Sequence, residues 1–237
     1  MKVIIIGSSS GIGMHLAHIM SDNGISLGLA GRRMELLEDL KAQLSAQVVI
    51  KYVDIRDTGK AMEALNSLIQ EMDGADMIII SAGTGYINKE LDWRLEKEII
   101  ETNVLGVTAM IDASMKYFMA KKSGHLAVIT SIAGLRGSGV CPAYNASKAY
   151  LSNYLEGIRC NIKKKHWDIT LTDIRPGLVG TAMAKGDGLF WVMRPEIVAD
   201  QIYKALKKKK DLIYVTKRWH LFAWFLKIVP KFIYYRI

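Results

Sequence analysis

The sequence predicts an α/β protein: a single doubly wound domain with a parallel sheet of about seven strands and helices on both faces. Three observations lead there. Short β-branched runs alternate with longer segments of helical period, the signature of repeated βα units. The strand runs are apolar almost throughout, as parallel strands buried between two helix layers are. No low-complexity linker or internal repeat beyond the βα unit divides the 237 residues, a length that suits one domain with a substantial core.

In chain order, Lys2–Ile6 reads as the first strand, and Ile12–Asn23 as a helix with Ile12, Leu16, Ile19 and Met20 on one side. Ile25–Ala30 reads as a strand, Met34–Leu44 as a helix, Val48–Val53 as a strand and Thr58–Met72 as a helix. The strand Met77–Ile80 follows, then a long helical region over Asp92–Ala120 and the strand His125–Thr130. Ala143–Lys164 reads as a long helix, Asp168–Ile174 as a strand, Pro195–Leu206 as a helix and Leu212–Val215 as the last strand, before an apolar tail. Right-handed crossovers between such strands build one Rossmann-type domain. It is expected to span 1–216, with an appended tail over 217–237.

Composition removes several functional classes. Half the residues are apolar and 23% are charged, which is globular rather than disordered. The two cysteines, Cys141 and Cys160, form neither a CxxC pair nor metal-ligand spacing, so no disulfide framework or metal site is expected and the default setting is reducing and cytoplasmic. The opening MKVIIIG lacks a long apolar region and reads as a buried strand rather than a signal peptide. No apolar run is long enough to span a bilayer. The net charge of +9 fits either a solvated basic surface or attraction to anions. The runs Lys163–Lys165 and Lys207–Lys210 are not interleaved with aromatics, so no nucleic-acid partner is expected. His15 and His18 suggest no third ligand and read as structural or surface residues.

Gly7-Ser8-Ser9-Ser10-Gly11-Ile12-Gly13 lies directly between the first strand and the first helix. Glycines there permit a sharp turn and close approach of backbone to a diphosphate, which the helix N-terminus favours. No Lys-Ser/Thr follows, so the loop is not a P-loop. At the end of the second strand stands Ala30-Gly31-Arg32-Arg33, where an NAD enzyme would carry an acid for the ribose hydroxyls. A guanidinium there suits a 2′-phosphate instead, which favours NADP(H), with Arg32 the first choice and Arg33 the second.

Tyr144-Asn145-Ala146-Ser147-Lys148 places a phenol and an ammonium on one helical face. A free tyrosine, with a pKa of ~10, exchanges protons poorly at neutral pH, and a nearby cation lowers that value. Ser131 ends the preceding strand, at the edge where ligands bind in such sheets. The GxxxGxG spacing, the Tyr144–Lys148 pair, Ser131, and Asn103 in Glu101-Thr102-Asn103-Val104 together resemble the short-chain dehydrogenase/reductase family over Lys2 to about Thr181, and Asn103, Ser131, Tyr144 and Lys148 match its Asn–Ser–Tyr–Lys tetrad.

The resemblance implies that Tyr144 protonates a substrate carbonyl as hydride arrives from the nicotinamide, or acts as base in reverse. Ser131 would hold that oxygen. Lys148 would lower the Tyr144 pKa and hold the nicotinamide ribose, and Asn103 would support a water-linked proton path to Lys148. It further implies cofactor contacts at Gly7, Ser9, Ser10, Gly11, Ile12 and Gly13, at Asp54 (facing the adenine amino group) and Ile55, and at Ala82 and Gly83. Pro176, Gly177, Val179 and Thr181 would meet the carboxamide and diphosphate end. Two positions depart from the family: Ile6 stands where it usually has Thr, and Ser81-Ala82-Gly83 where it usually has Asn-Ala-Gly. A brace between the first and fourth strands is therefore expected to differ.

In the resembled family a substrate-covering lid follows Thr181. Here it falls at about 182–194, with Gly186 and Gly188 as hinges and Met183, Leu189, Phe190, Trp191 and Met193 as an apolar wall, pointing to a hydrophobic substrate. The tail mixes Trp219, Phe222, Trp224, Phe225, Leu226, Ile228, Phe232, Ile233, Tyr234 and Tyr235 with Lys217, Arg218, Lys227, Lys231 and Arg236. Three readings stand: peripheral contact with a membrane surface, packing against a subunit or the substrate pocket, and a disordered tail. The expected activity is NADPH-dependent reduction of a ketone or aldehyde, or the reverse, by a homo-oligomer, dimer or tetramer. A non-catalytic NADP(H)-binding sensor or scaffold is the alternative.

Overall fold

The computed structural model describes residues 1–181 and 191–236. Strands β1 (Lys2–Ile6), β2 (Ser26–Gly31), β3 (Val48–Tyr52), β4 (Met77–Ile80), β5 (Ser123–Ile129), β6 (Asp168–Pro176) and β7 (Leu212–Val215) form one sheet of seven strands. The spatial order is β3-β2-β1-β4-β5-β6-β7 and every pairing is parallel.

Period-two alternation along apolar strands sends side chains into two separate cores. Ile4 and Ile6 of β1, Ile78 and Ile80 of β4, and Leu126 and Val128 of β5 pack beneath α3 (Thr58–Glu71), α5 (Val107–Lys121) and α6 (Pro142–Lys164). Val3 and Ile5, Met77 and Ile79, and Ala127 and Ile129 face the opposite layer, made of α1 (Gly11–Asp22), α2 (Met34–Gln43) and α7 (Pro195–Lys207). Both faces are covered, so the strands need no polar side.

Several boundaries differ from the sequence reading. Helix α6 begins at Pro142, whose missing N–H is no loss at the first helical position. Strand β6 runs on to Pro176. The helical region expected over Asp92–Ala120 is three pieces: α4 (Trp93–Ile99), a π-helical stretch at Ile100–Gly106, and α5. A Cβ at Gly106 would lie 2.6 Å from the Ile55 carbonyl oxygen, so the missing side chain lets the π-helical stretch lie close to the loop after β3. The tail folds as α8 (Lys217–Ile228) and α9 (Lys231–Tyr234), not as a disordered segment. Most of the expected lid, 182–190, lies outside the described residues, as do Met183, Gly186, Gly188, Leu189 and Phe190.

The strand order reverses between β1 and β4, which carry the chain in opposite directions across the sheet. In open α/β sheets this switch opens a crevice outside the strand C-termini, where ligands bind.

Candidate active site

Gly7 leaves β1 with φ +88°, and a Cβ on it would sit 2.5 Å from the Ala82 nitrogen beyond β4. A Cβ on Gly13 would meet the Gly7 carbonyl oxygen at 2.3 Å. The turn is thus packed against both strand β4's exit and its own helix so tightly that backbone forms the wall, the cradle a diphosphate requires. Ser10 stands at the N-cap of α1 without a side-chain cap bond, and the first turn holds no acid. Its amide groups and positive end are left to an external anion. These residues fit a dinucleotide.

Beyond β2 the two arginines part. Arg33 donates to the Ser9 hydroxyl from Nε (3.1 Å) and Nη2 (2.8 Å), and to Ser10 from Nη2 at 2.6 Å. Arg32 is exposed and lines the same cleft. The sequence reading placed Arg32 first, whereas Arg33 is the one tied to the glycine-rich turn. Asp54 is engaged by Arg56, which donates through Nε (3.1 Å) and Nη2 (2.6 Å). Those hydrogen bonds hold the carboxyl below its ordinary pKa, with burial opposing and Arg32 adding a smaller pull. Asp54 and Ile55 both line the cleft. Where Ile6 and Ser81 replace the family's usual pair, the strands meet through the Ser81 N–H and the Ile6 carbonyl at 2.8 Å.

At the other end of the cleft, Ser131 leaves β5 in an extended conformation and caps a 3₁₀ turn, Ile132–Leu135, by accepting from the Ala133 N–H. Tyr144 and Lys148 come from the first turns of α6 and line the same cleft. The Lys148 Nζ lies 5.7 Å from the Tyr144 ring centroid and donates to the Ile129 carbonyl at 3.1 Å. It is buried, and burial pushes its pKa down to about 8, with the buried carboxylate of Asp173 pulling the other way. Asp173 is itself bound by the Thr130 hydroxyl (2.5 Å) and by Arg175 through Nε at 2.8 Å.

Burial also pushes the Tyr144 phenol above its ordinary pKa, with the Ser131 hydroxyl drawing it down by a hydrogen bond. The sequence reading assigned the main effect on this phenol to the lysine. In the folded site desolvation is the largest influence on it, and desolvation favours the protonated phenol.

Asn103 lies in the π-helical stretch, fully buried. Its Oδ1 accepts from the Thr84 N–H (2.8 Å), and its Nδ2 donates to the Thr84 carbonyl (2.8 Å) and to the Ser147 hydroxyl (3.1 Å). It therefore fastens the loop after β4 to the helix that carries Tyr144. A Cβ on Gly83 would sit 3.3 Å from Asn103 Oδ1 and 3.5 Å from Lys148 Nζ, so Gly83, Asn103 and Lys148 share one corner. π-Helical distortions recur at functional sites because the slipped register re-aims a side chain.

Two contributors, Asn145 and Ser147, escaped the sequence reading. Asn145 Nδ2 donates to the Ala133 and Arg136 carbonyls (2.9 and 2.7 Å), tying the loop after Ser131 to α6. Asn145 and Ser147 are buried polar residues inside a helix, and that placement within the Tyr144–Lys148 segment was the available signal. Trp219 of α8 packs on the backbone after β6, where a Cβ on Gly177 would fall 2.2 Å from its ring. Thr181 reaches back to the glycine-rich turn: its methyl would stand 3.2 Å from a Cβ on Gly11. Val179 bridges to Met193, and Gly180 N–H donates to the Met193 carbonyl at 2.8 Å.

One cleft of about 1900 Å³ is lined by Gly7, Ser9, Ser10, Gly11, Ile12, Arg32, Arg33, Ala82, Gly83, Ser131, Tyr144, Lys148, Pro176, Gly177, Val179 and Thr181. That exceeds a site for one small molecule, about 300–1,000 Å³, and leaves room for a dinucleotide with a substrate beside it. Gly13 and Asn103 support it from behind. Among the described residues no cluster of His, Cys, Asp or Glu could hold a metal ion.

Residues 1–188 match a protein-family model described as short chain dehydrogenase. An uncharacterized oxidoreductase of Myxococcus xanthus is 34% identical over 181 residues, covering 74% of this chain and 71% of its own. Dehydrogenase/reductase SDR family member 7B of Bos taurus is 29% identical over 236 residues, covering 89% and 72%. Among solved structures, an alcohol dehydrogenase of the archaeon Thermococcus sibiricus, complexed with 5-hydroxy-NADP, superposes with TM-score 0.80 at 23% identity, covering 90% of this chain and 95% of that one. A short chain dehydrogenase/reductase of Burkholderia phymatum, in complex with NAD, gives 0.82 at 17% identity, covering 94% and 91%. With the sheet order, the glycine-rich turn and the matched residues in agreement, this chain belongs to the short-chain dehydrogenase/reductase family, the NAD(P)-dependent oxidoreductases.

Proposed function

We propose that the protein is an NADPH-dependent reductase that converts an apolar, lipid-like ketone or aldehyde to the alcohol, with Tyr144 as proton donor. The observation that carries this reading is the shared cleft: Ser131, Tyr144 and Lys148 at one end, the glycine-rich turn with Arg32 and Arg33 at the other. One structural neighbour was solved with an NADP derivative and another with NAD. The arginines in place of an acid at the end of β2 favour the phosphorylated cofactor here.

When bound, the reduced nicotinamide supplies hydride to the carbonyl carbon. The chain's own part is to hold and protonate the oxygen. Ser131 donates a hydrogen bond to it and Tyr144 transfers the phenolic proton, closing the new O–H bond as the C=O π bond breaks. Lys148, charged below a pKa of about 8, stabilises the phenolate left behind and returns a proton toward it. Asn103 holds the loop around Gly83 against the tyrosine helix, keeping Lys148 in register. The substrate half of the cleft is walled by Leu135, Val140, Phe222, Phe225, Leu226 and Val229, which supports an apolar substrate. The expected setting is a reducing, cytoplasmic one, with the chain assembled as a dimer or tetramer.

The test is NADPH against NADH oxidation with ketones running from short sugars to long-chain 3-keto lipids, for the wild type and Tyr144→Phe. The reading requires NADPH consumption with an apolar ketone and a Tyr144→Phe variant that binds cofactor but does not turn over. Tight cofactor binding by the wild type with no carbonyl reduced would instead make it a sensor.

A further inference from the structure

Helix α8 is apolar on two sides. Trp219 and Ala223 are buried against the body, with Phe222 and Leu226 half-buried beside them. On the opposite side, Leu221, Trp224, Phe225 and Ile228 recur at the i, i+3, i+4, i+7 spacing of one helical stripe, and all four are exposed, Leu221 by 71% and Trp224 by 60%. Phe232, Ile233 and Tyr235 of α9 extend the exposed apolar surface. A helix that serves only to cap a pocket needs one apolar stripe, with polar residues outward. Among the described residues, the side chains of the second stripe are left exposed.

Charge identifies the occupant. From Leu212 to Ile237 the sequence holds five Lys or Arg and no Asp or Glu. A second copy would bring this cationic segment against itself, whereas an anionic lipid surface complements it. Aromatic residues with cationic neighbours suit the headgroup boundary. Helix α8 has 12 residues, too few to cross a bilayer, so the contact is peripheral. The mouth of the catalytic cleft lies on the same side: Ile87, Val140, Phe225 and Tyr235 all line the cleft, yet each is at least 40% exposed. Phe225 belongs both to that rim and to the outer stripe.

We propose that α8 and α9 dock the protein on an anionic bilayer surface, so that the apolar mouth of the cleft opens onto the lipid. The second half rests on the reductase reading above, and the first half does not.

The experiment is flotation of the full chain with phosphatidylcholine vesicles, with and without phosphatidylserine, for wild type and the triple variant Leu221→Gln, Trp224→Gln, Ile228→Gln. None of these three side chains lines the cleft. NADPH binding by fluorescence and mass by light scattering are measured alongside. The wild type should float with the serine lipid and lose affinity as salt rises, and the triple variant's partitioning should fall at least about a hundredfold with NADPH affinity unchanged. Reduction of a ketone dissolved in the vesicles should fall in parallel, while reduction of a short water-soluble ketone is unchanged. A wild type that stays in the aqueous fraction with both vesicles overturns docking. So does one that self-associates and becomes smaller on triple substitution without ever floating. Flotation without reduction of any ketone supports docking and defeats the reductase reading.

Discussion

Lys148 should be a residue that the fold is better off without. Its ammonium is buried, and burial holds its pKa near 8 against an ordinary 10.5. Between those values the unfolded chain carries a proton that the folded protein has shed, so stability rises with pH across that window. Below pH 8 both states are protonated and the full burial cost is present. The gap of roughly 2.5 pH units, at ~1.4 kcal/mol each, is about 3–4 kcal/mol. Lys148→Met keeps the stem and removes the charge. It also removes the hydrogen bond to the Ile129 carbonyl, worth about 1 kcal/mol. The net expectation is a variant more stable than wild type by about 2–3 kcal/mol at neutral pH, with the advantage disappearing as pH climbs toward 10.5.

Urea denaturation of the two ligand-free proteins, at matched protein concentration and a series of pH values, reads this directly. Turnover should collapse in the same variant, because no cation remains to steady the Tyr144 phenolate. The reasoning is refuted if Lys148→Met is less stable than wild type at neutral pH, or if its advantage does not shrink between pH 8 and 10.5.

Replacing Arg32 and Arg33 by Ala should raise the KM for NADPH about 10- to 100-fold, the worth of charge-assisted hydrogen bonds to a phosphate, while that for NADH moves little. Steady-state kinetics with both cofactors decides it, and an equal loss for both would mean that the arginines only brace Ser9 and Ser10. Gly13→Ala places a methyl 2.3 Å from the Gly7 carbonyl oxygen. Backbone must shift, so NADPH binding by fluorescence should weaken at least about tenfold and thermal stability should drop. Unchanged binding would show that the turn is not the diphosphate cradle. Trp219→Ala empties a fully enclosed indole site between Gly177 and α8 and should cost about 3–5 kcal/mol in urea unfolding. A loss below about 1 kcal/mol would mean that α8 is not fastened through this residue.

The fold was legible because each strand's apolar run coincides with a place where both sheet faces are covered. Met77–Ile80 and Leu212–Val215 match the observed strands to the residue. What periodicity could not reveal is a slip in hydrogen-bond register. Asp92–Ala120 reads as one helix, whereas the chain there holds a π-helical stretch that carries Asn103 and ends at Gly106, close against the Ile55 carbonyl. In the site, four-residue spacing was enough to put Tyr144 and Lys148 on one face. The environment that sets their pKa values was not, because burial, the Ser131 hydrogen bond and the charge of Asp173 come from the folded surroundings rather than from the helix itself. The Arg33 hydrogen bonds to Ser9 and Ser10 were not legible for a similar reason: only the fold brings the glycine-rich turn beside the end of β2, and both arginines line the cleft there. The tail was ambiguous because both its faces are apolar, so no stripe marked the inward one.

A small third core lies at the substrate end of the sheet. Ile132 after β5 and Trp219 and Ala223 of α8 pack together there, flanked by Leu135, Leu178, Met193, Phe222 and Tyr214 of β7, and Met193 also reaches the core on the α1, α2 and α7 face. Trp191 meets the Trp219 ring edge-on at 5.9 Å. Gly180 and Met193, on either side of 182–190, are hydrogen-bonded to one another. The residues flanking that segment are therefore held side by side. The same indole that anchors one flank also lies on the Gly177 backbone and roots the tail. The turn after β6, the tail and the Ser131 loop are thus joined through shared packing on Trp219, while Asn103 and Ser147 tie the Tyr144–Lys148 helix to the loop after β4.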